Sequence, residues 1–314
     1  MFVPASSPSL IFYQKKKIFP RAHAGASKGT ERMKSFYRER RHVCGKTIAS
    51  AKYQEVDIYP MTGTDASRAY DKEAAAPRRL QTRKAQANLN DRNARRHLVQ
   101  LVITNFDERD LHVTLTYGPG QEPTTEAEAR RDRDNFVRRL AAANKKAGGA
   151  PLKYIIVTEH KDADPAAGVK GVRYHHHVIL SCGLDRDKIE SLWARKGERL
   201  GRCNADRLQF ERGSIEALAR YLLKDAKRSR RWKQSRGLVQ PKSPRPADCK
   251  YTRRGVEKIA RDSALLHDPD FWAKKYPGWI LNEAEARYTD ALGWYIYLKM
   301  HREGPPHGTK RKGH

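Results

Sequence analysis

The 314-residue chain is strongly basic: 64 lysines and arginines stand against 36 aspartates and glutamates, which gives a formal net charge of +28. A charge of this size predicts a polyanionic partner, and nucleic acid fits best. No stretch approaches the roughly 18 consecutive apolar residues of a membrane span, and the four cysteines form no CxxC pair. These features argue against a membrane protein, a zinc ribbon and a disulfide framework, and we expect a cytoplasmic protein.

The N-terminal part of the chain is predicted to be the least regular. Residues 1–32 show no periodicity, so we predict a disordered leader there. A translation start at Met33 is a hypothesis that native protein beginning at residue 1 or 2 would exclude. Residues 33–105 form a predicted basic N-terminal region. It holds a short strand over 54–60 and a helix over 85–103, in which apolar residues recur at helical spacing.

Residues 106–240 form the predicted core domain, in which strands and helices alternate. Period-two patterns predict the strands, and apolar residues three and four apart predict the helices. Their order is typical of an α+β fold, a central antiparallel sheet with helices packed on it. Residues 241–314 follow as a small C-terminal extension with one predicted helix over 254–266. The predicted strands of the core domain are 110–117, 152–159, 172–180 and 205–212, and its predicted helices are 125–146, 185–196 and 214–228.

The segment Tyr174–Leu180 carries the sharpest chemical signal, three consecutive histidines on a predicted strand. Residues i and i+2 of a strand project from the same face, so His175 and His177 stand side by side while His176 points the other way. Glu159 ends the preceding strand and reaches the same face if the two strands pair as a hairpin. A single histidine or strand-end glutamate is usually a surface or packing residue. The combination predicts a site for a divalent metal ion, Mg²⁺ or Mn²⁺.

A second feature is the sequence Tyr-Leu-Leu-Lys on the predicted helix 214–228, which places Tyr221 and Lys224 on one helix face. A phenol has a pKa of about 10, so it needs a nearby metal ion or ammonium group to act as a nucleophile. Taken alone this pattern is weak, because most such pairs are a half-buried tyrosine and a surface lysine.

Together these motifs resemble those of the HUH endonucleases, specifically the replication-associated (Rep) proteins of rolling-circle plasmids, phages and integrated mobile elements. The resemblance covers residues 89–238, with a looser similarity over 33–60 and in the C-terminal tail. Each motif is short, but their order and spacing together are specific. The matching positions are Val113–Tyr117 for the first motif, His175 and His177 with Glu159 for the metal ligands, and Tyr221 with Lys224 for the nucleophile.

The resemblance implies an RRM-like palm, with 106–240 as the HUH endonuclease domain and a divalent metal as its cofactor. In such a site the scissile phosphate is polarised by the metal, Tyr221 attacks one DNA strand, and Lys224 positions the phosphate or stabilises charge. The products are a 5′-phosphotyrosine link and a free 3′-hydroxyl. Some family members have a second tyrosine four residues after the first, where this chain has Asp225. We therefore expect a single-tyrosine enzyme.

The implied partners are single-stranded or origin DNA, a host helicase and a host DNA polymerase, and no membrane. The phosphotyrosine link keeps the energy of the phosphodiester, so rejoining needs no ATP. The sequence agrees: Gly45-Lys46-Thr47 resembles the end of a P-loop, but Arg40 stands where its leading glycine should be.

A basic stretch over 227–236 follows the tyrosine helix directly. Such a run is often only a solvated face, but with this net charge we predict contact with DNA phosphates, and an aromatic ring that stacks on a base. The predicted DNA-binding residues are Arg228, Arg230, Arg231, Trp232, Lys233 and Arg236.

Other functions stay open at this point. A conjugative relaxase uses the same chemistry, but its tyrosine usually precedes the histidine motif, whereas Tyr221 follows it. A single-tyrosine transposase has the observed order and is usually much shorter. A non-catalytic basic protein that binds DNA or RNA would need neither a metal nor Tyr221. A zinc regulator is disfavoured by the scattered cysteines.

Overall fold

The computed structural model places seven helices and twelve strands within the residues that it describes. The leader predicted over residues 1–32 and the hypothetical start at Met33 lie outside those residues. Among the described helices, none is both long and apolar enough to cross a membrane. The described residues are 36–61, 75–166, 168, 170–210, 214–223, 231–248, 250–290 and 292–302. The strands are β1 (Phe36–Cys44), β2 (Tyr53–Met61), β3 (Leu111–Thr116), β4 (Lys153–Lys161), β5 (Val172–Ser181), β6 (Ala194–Arg195), β7 (Glu198–Arg199), β8 (Cys203–Arg207), β9 (Lys233–Gln234), β10 (Ala247–Asp248), β11 (Ile280–Thr289) and β12 (Gly293–His301). The helices are α1 (Ala75–Asn105), α2 (Glu126–Lys146), α3 (Arg186–Ser191), α4 (Ser214–Leu222), α5 (Arg253–Arg261), α6 (Ser263–Leu266) and α7 (Pro269–Lys275).

Five strands form the central sheet, in the order β8-β3-β5-β4-β9, and each neighbouring pair is antiparallel. Its middle is the hairpin of β4 and β5, whose register places Glu159 opposite His175 and Val157 opposite His177. Helices pack on this sheet through two apolar clusters. The predicted α+β class, with helices on an antiparallel sheet, is therefore confirmed.

Side-chain alternation divides the apolar residues of the central sheet between two cores. Val178 of β5 lies in the core that α2 and α3 cover, whereas Ile179 packs with Leu98 of α1 and with residues of α4 on the opposite face. Since residues two apart share a face, His175 and His177 lie on the same side as Ile179. The strand therefore presents both histidines toward the side of α1 and α4.

A second sheet, the terminal sheet, combines strands from both ends of the described chain in the order β10-β1-β2-β12-β11. Helices α5, α6 and α7 pack on one of its faces. The sequence predicts only the strand over 54–60, which is β2. In β12, tyrosines at 295 and 297 alternate with the buried Ile296 and Leu298, so an apolar residue stands at almost every position. The period-two pattern is hidden, and the strand was missed.

Three predicted elements have different bounds in the structure. The helix over 85–103 is part of the longer α1, and the strand over 205–212 is β8, which ends at Arg207. The helix over 254–266 is two helices. Asp262 separates them, because it ends α5 and its carboxylate accepts a 3.0 Å hydrogen bond from the amide of Leu265 in the first turn of α6.

Helix α1 is joined to the terminal sheet by a buried ionic network. Arg96 donates to Glu55 of β2 and, at 2.9 Å, to Asp57. Glu55 is only 1% exposed. Its carboxylate also accepts from Gln100 at 2.6 Å and from Tyr53 at 3.0 Å. Arg96 is the cation among these donors, so it balances the charge that burial would otherwise disfavour.

We expect Arg96→Met to lower the free energy of unfolding by about 3 kcal/mol, because the buried Glu55 carboxylate loses its counter-charge. Urea denaturation followed by circular dichroism measures the change. The matched control is Arg130→Met, which breaks an exposed pair with Glu126 on α2 and should cost less than about 0.5 kcal/mol. Equal losses in the two variants would show that Glu55 does not depend on Arg96.

Candidate active site

The candidate site is built on the central sheet, where β4 and β5 present three polar side chains on one face. Glu159 and His175 are direct cross-strand partners, and His177 is two residues further along β5. Glu159 is 6% exposed and His177 is 3% exposed, so the group is set into the sheet surface. The hairpin pairing predicted from the sequence, with Glu159 on the face of the two histidines, is what the structure has.

The three side chains converge through their ligand atoms. The Nε2 of His175 lies 3.1 Å from Oε2 of Glu159, and the Nε2 of His177 lies 3.8 Å from the same oxygen. One ligand atom from each residue lies within 4.8 Å of the other two, and within the described part of the chain this is the one such group of histidine, cysteine and acidic residues. Two imidazole nitrogens and a carboxylate oxygen are a donor set that fits a divalent metal ion such as Mn²⁺ or Mg²⁺.

Each histidine of the group is oriented through its other ring nitrogen. The Nδ1 of His175 lies 2.9 Å from the backbone carbonyl oxygen of Arg173, so it donates there and leaves Nε2 with a lone pair. The Nδ1 of His177 lies 3.3 Å from Nε2 of His112 and 3.4 Å from the hydroxyl of Thr114. Contacts of this kind orient metal-binding histidines in general.

His112 and Thr114 of β3 were not among the predicted site residues. The signal was present in the sequence: in Leu-His-Val-Thr-Leu-Thr the odd-numbered residues are buried and the even-numbered ones are half-buried. Because β3 pairs Thr114 with His177, these even-numbered side chains share the face of the histidine group. Burial lowers the pKa of His112 below its ordinary value, which favours the neutral imidazole.

His176 points to the opposite face, as the strand pattern predicts. It is fully buried, with Nδ1 2.9 Å from the hydroxyl of Thr158 and Nε2 3.1 Å from the hydroxyl of Tyr117. Burial lowers the pKa of His176 to about 3, so the ring is neutral at physiological pH. It packs against Trp193 and is part of the core on that side.

Tyr221 approaches the group from α4. Ala219 and Leu222 of this helix are buried in the core shared with α1 and the central sheet, while Tyr221 itself is 45% exposed. Its ring centroid lies 5.1 Å from that of His177, with the two planes at 75°. The structure therefore brings the predicted nucleophile to the predicted metal ligands. Lys224 lies outside the described residues.

The predicted DNA-binding residues have varied surroundings, and Arg228 and Arg230 lie outside the described residues. Arg231 forms an ion pair with Asp91 of α1. Lys233 forms one with Asp134 of α2, at 2.8 Å. Trp232 packs partly buried against the α1 and α4 core and donates a 2.8 Å hydrogen bond to Gln234. Arg236 is exposed to solvent.

An antiparallel sheet that presents two histidines and a glutamate on one face, with a helix-borne tyrosine beside them, defines the class of HUH-type replication proteins. Residues 110–226 match a family model of replication-associated proteins, the ORF2 type. The match begins in the turn before β3 and extends just beyond α4, so it contains all of these residues. The segment thus carries a replication-associated domain, and the resemblance drawn from the motifs is confirmed. No curated protein and no solved structure matches the chain significantly.

Proposed function

We propose that the protein initiates rolling-circle replication by nicking one DNA strand at an origin, with Tyr221 as the nucleophile. The observation that carries this proposal is the contact between the rings of Tyr221 and His177, 5.1 Å apart. It places an exposed phenol beside a group that could hold a metal ion. The family match supports a role in replication, to which the geometry adds a candidate reaction.

Glu159, His175 and His177 would hold the divalent ion through one atom each. When bound, the ion would supply Lewis-acid polarisation of the scissile phosphate. The backbone carbonyl of Arg173 fixes the ring of His175. Because Glu159 and His177 are buried, water has little access to their ligand atoms, and electrostatic interactions with a phosphate are stronger there than in bulk solvent.

Tyr221 would carry the covalent step. Its phenolic oxygen forms a bond to phosphorus, and the bond between phosphorus and the 3′ oxygen breaks. The phenolic proton is lost, and the departing 3′ oxygen gains a proton. The products are a 5′-phosphotyrosine and a 3′-hydroxyl, which a host DNA polymerase would extend while a host helicase separates the strands. Lys224, the predicted neighbour on the same helix face, would balance charge on the phosphate.

Cleavage of single-stranded origin DNA tests the proposal. The protein is incubated with a labelled oligonucleotide in Mn²⁺ or in EDTA, and denaturing gels separate free, nicked and protein-linked DNA. We expect a protein-linked product that requires the metal. DNA that is bound but never cut with Mg²⁺ or Mn²⁺ would contradict the proposal and favour a non-catalytic nucleic-acid-binding protein.

Arg236 provides a separate test of the predicted DNA contacts, because it is exposed, whereas Arg231 and Lys233 already pair with acidic residues. Arg236→Glu should weaken DNA binding and reduce the slope of log affinity against log salt by about 1. Fluorescence anisotropy at several salt concentrations measures both. Lys146→Glu, at the exposed end of α2, is the control and should leave the slope unchanged. An unchanged slope in Arg236→Glu would remove this residue from the proposed contact surface.

A further inference from the structure

We propose that His112 is a positioning residue that holds His177 with its Nε2 directed toward Glu159. His112 would accept a hydrogen bond from Nδ1–H of His177 and thereby fix both the tautomer and the orientation of that ring. This inference rests on the metal site in the proposed function, and it adds a residue outside the three ligands.

The geometry of β3 and β5 brings the two rings together. Thr114 stands directly opposite His177 in the antiparallel register, and His112 stands opposite Ile179, which is on the same face as His177. The rings of His112 and His177 are stacked, with centroids 5.3 Å apart and planes at 19°. The Nε2 of His112 lies 3.3 Å from Nδ1 of His177. Stacking resists tilting of the His177 ring, and the hydrogen bond resists its rotation.

The positions of the protons follow from the chemistry of imidazole. A neutral ring has one donor nitrogen and one acceptor nitrogen, and a metal ion takes the lone pair of the acceptor. If Nε2 of His177 is the ligand, Nδ1 must carry the proton and needs an acceptor. Nε2 of His112 is such an acceptor, and the hydroxyl oxygen of Thr114, at 3.4 Å, is a longer alternative.

The two predicted histidine ligands therefore differ in what orients them. His175 donates to the backbone carbonyl of Arg173, which a side-chain substitution leaves in place. His177 donates to side chains of β3, so its orientation depends on the residue at position 112. Metal affinity should consequently respond to a change at His112 even though His112 does not belong to the ligand group.

Direct titration of the full-length protein with Mn²⁺ by calorimetry, without DNA, tests the inference. His112→Phe keeps an aromatic ring against His177 but removes the acceptor, and we expect Mn²⁺ to bind about 10- to 100-fold more weakly. His112→Gln places an amide oxygen near the position of Nε2, and its affinity should stay within about threefold of the wild type, because an acceptor is restored. Thermal unfolding of the metal-free variants verifies that each is folded.

Two results would overturn the inference: wild-type affinity in His112→Phe, or a loss in His112→Gln as large as in His112→Phe. The second would assign the effect to packing and not to the hydrogen bond. Wild-type protein that binds no Mn²⁺ would overturn both this inference and the proposed metal site. Wild-type protein that binds Mn²⁺ and loses affinity in His112→Phe, but cuts no DNA, would contradict the proposed function alone.

Discussion

Tyr221→Phe is expected to abolish the protein–DNA adduct and to reduce cleavage of origin DNA by about 10³-fold or more, because the attacking oxygen is removed and no other group takes its place. The rest of the site should be unaffected. The phenylalanine ring can keep the contact with His177, and Tyr221 is 45% exposed, so the hydroxyl is not needed to satisfy a buried group. DNA affinity should therefore stay near the wild-type value.

A second tyrosine provides the control for this substitution. Tyr288 of β11 is 54% exposed and belongs to the terminal sheet. Tyr288→Phe removes the same atom from a similarly exposed ring away from the histidines, and it should cut DNA at the wild-type rate. Cleavage that survives in Tyr221→Phe would mean that another residue is the nucleophile. Loss of cleavage in both variants would show that the assay does not report on Tyr221.

Glu159→Gln is expected to lower Mn²⁺ affinity by at least about 100-fold, since it removes the anionic ligand and leaves a neutral group of the same shape. The effect should also be visible as stability. An ion present at 100 times its Kd stabilises the folded state by about 2.7 kcal/mol, so wild-type protein should unfold at a higher temperature in Mn²⁺ than in EDTA. Glu159→Gln should show little of this difference.

Glu198→Gln is the matched control, because Glu198 is exposed on β7 and is not part of the group. It should keep the full Mn²⁺-dependent rise in Tm. Differential scanning calorimetry of the three proteins in Mn²⁺ and in EDTA makes the comparison. An equal rise in Glu159→Gln and in the wild type would mean that the ion binds elsewhere and that the carboxylate has a structural role.

The candidate metal group could be predicted because it is encoded locally. His175 and His177 share a face through the period of a strand, and Glu159 reaches them through one hairpin, so short-range pairing was sufficient. His112 was missed although the same alternation placed it on that face. Its strand lies beside β5 only through a connection that includes the whole of α2 and β4, and the sequence pattern does not specify which strands become neighbours.

The remaining differences also come from long-range contacts. Pairing of β2 with β12 joins Ile58 to Ile296 across most of the chain, and no local period specifies such a partner. The basic stretch shows the same limit: its charge was visible in the sequence, whereas the pairing of Arg231 with Asp91 is a tertiary contact. Composition predicts that a segment is basic, and only the fold determines which of its charges remain available to DNA.

The central claim is tested most directly by identifying the residue that becomes linked to DNA. Trypsin cleaves after Arg220 and Lys224, so the adduct should yield the tetrapeptide Tyr-Leu-Leu-Lys with Tyr221 at its start. After nuclease digestion of the bound DNA, mass spectrometry should find this peptide carrying a 5′-linked nucleotide, in samples with Mn²⁺ and not in EDTA. A nucleotide on any other residue, or origin DNA cut with no covalent intermediate, would contradict the proposed mechanism.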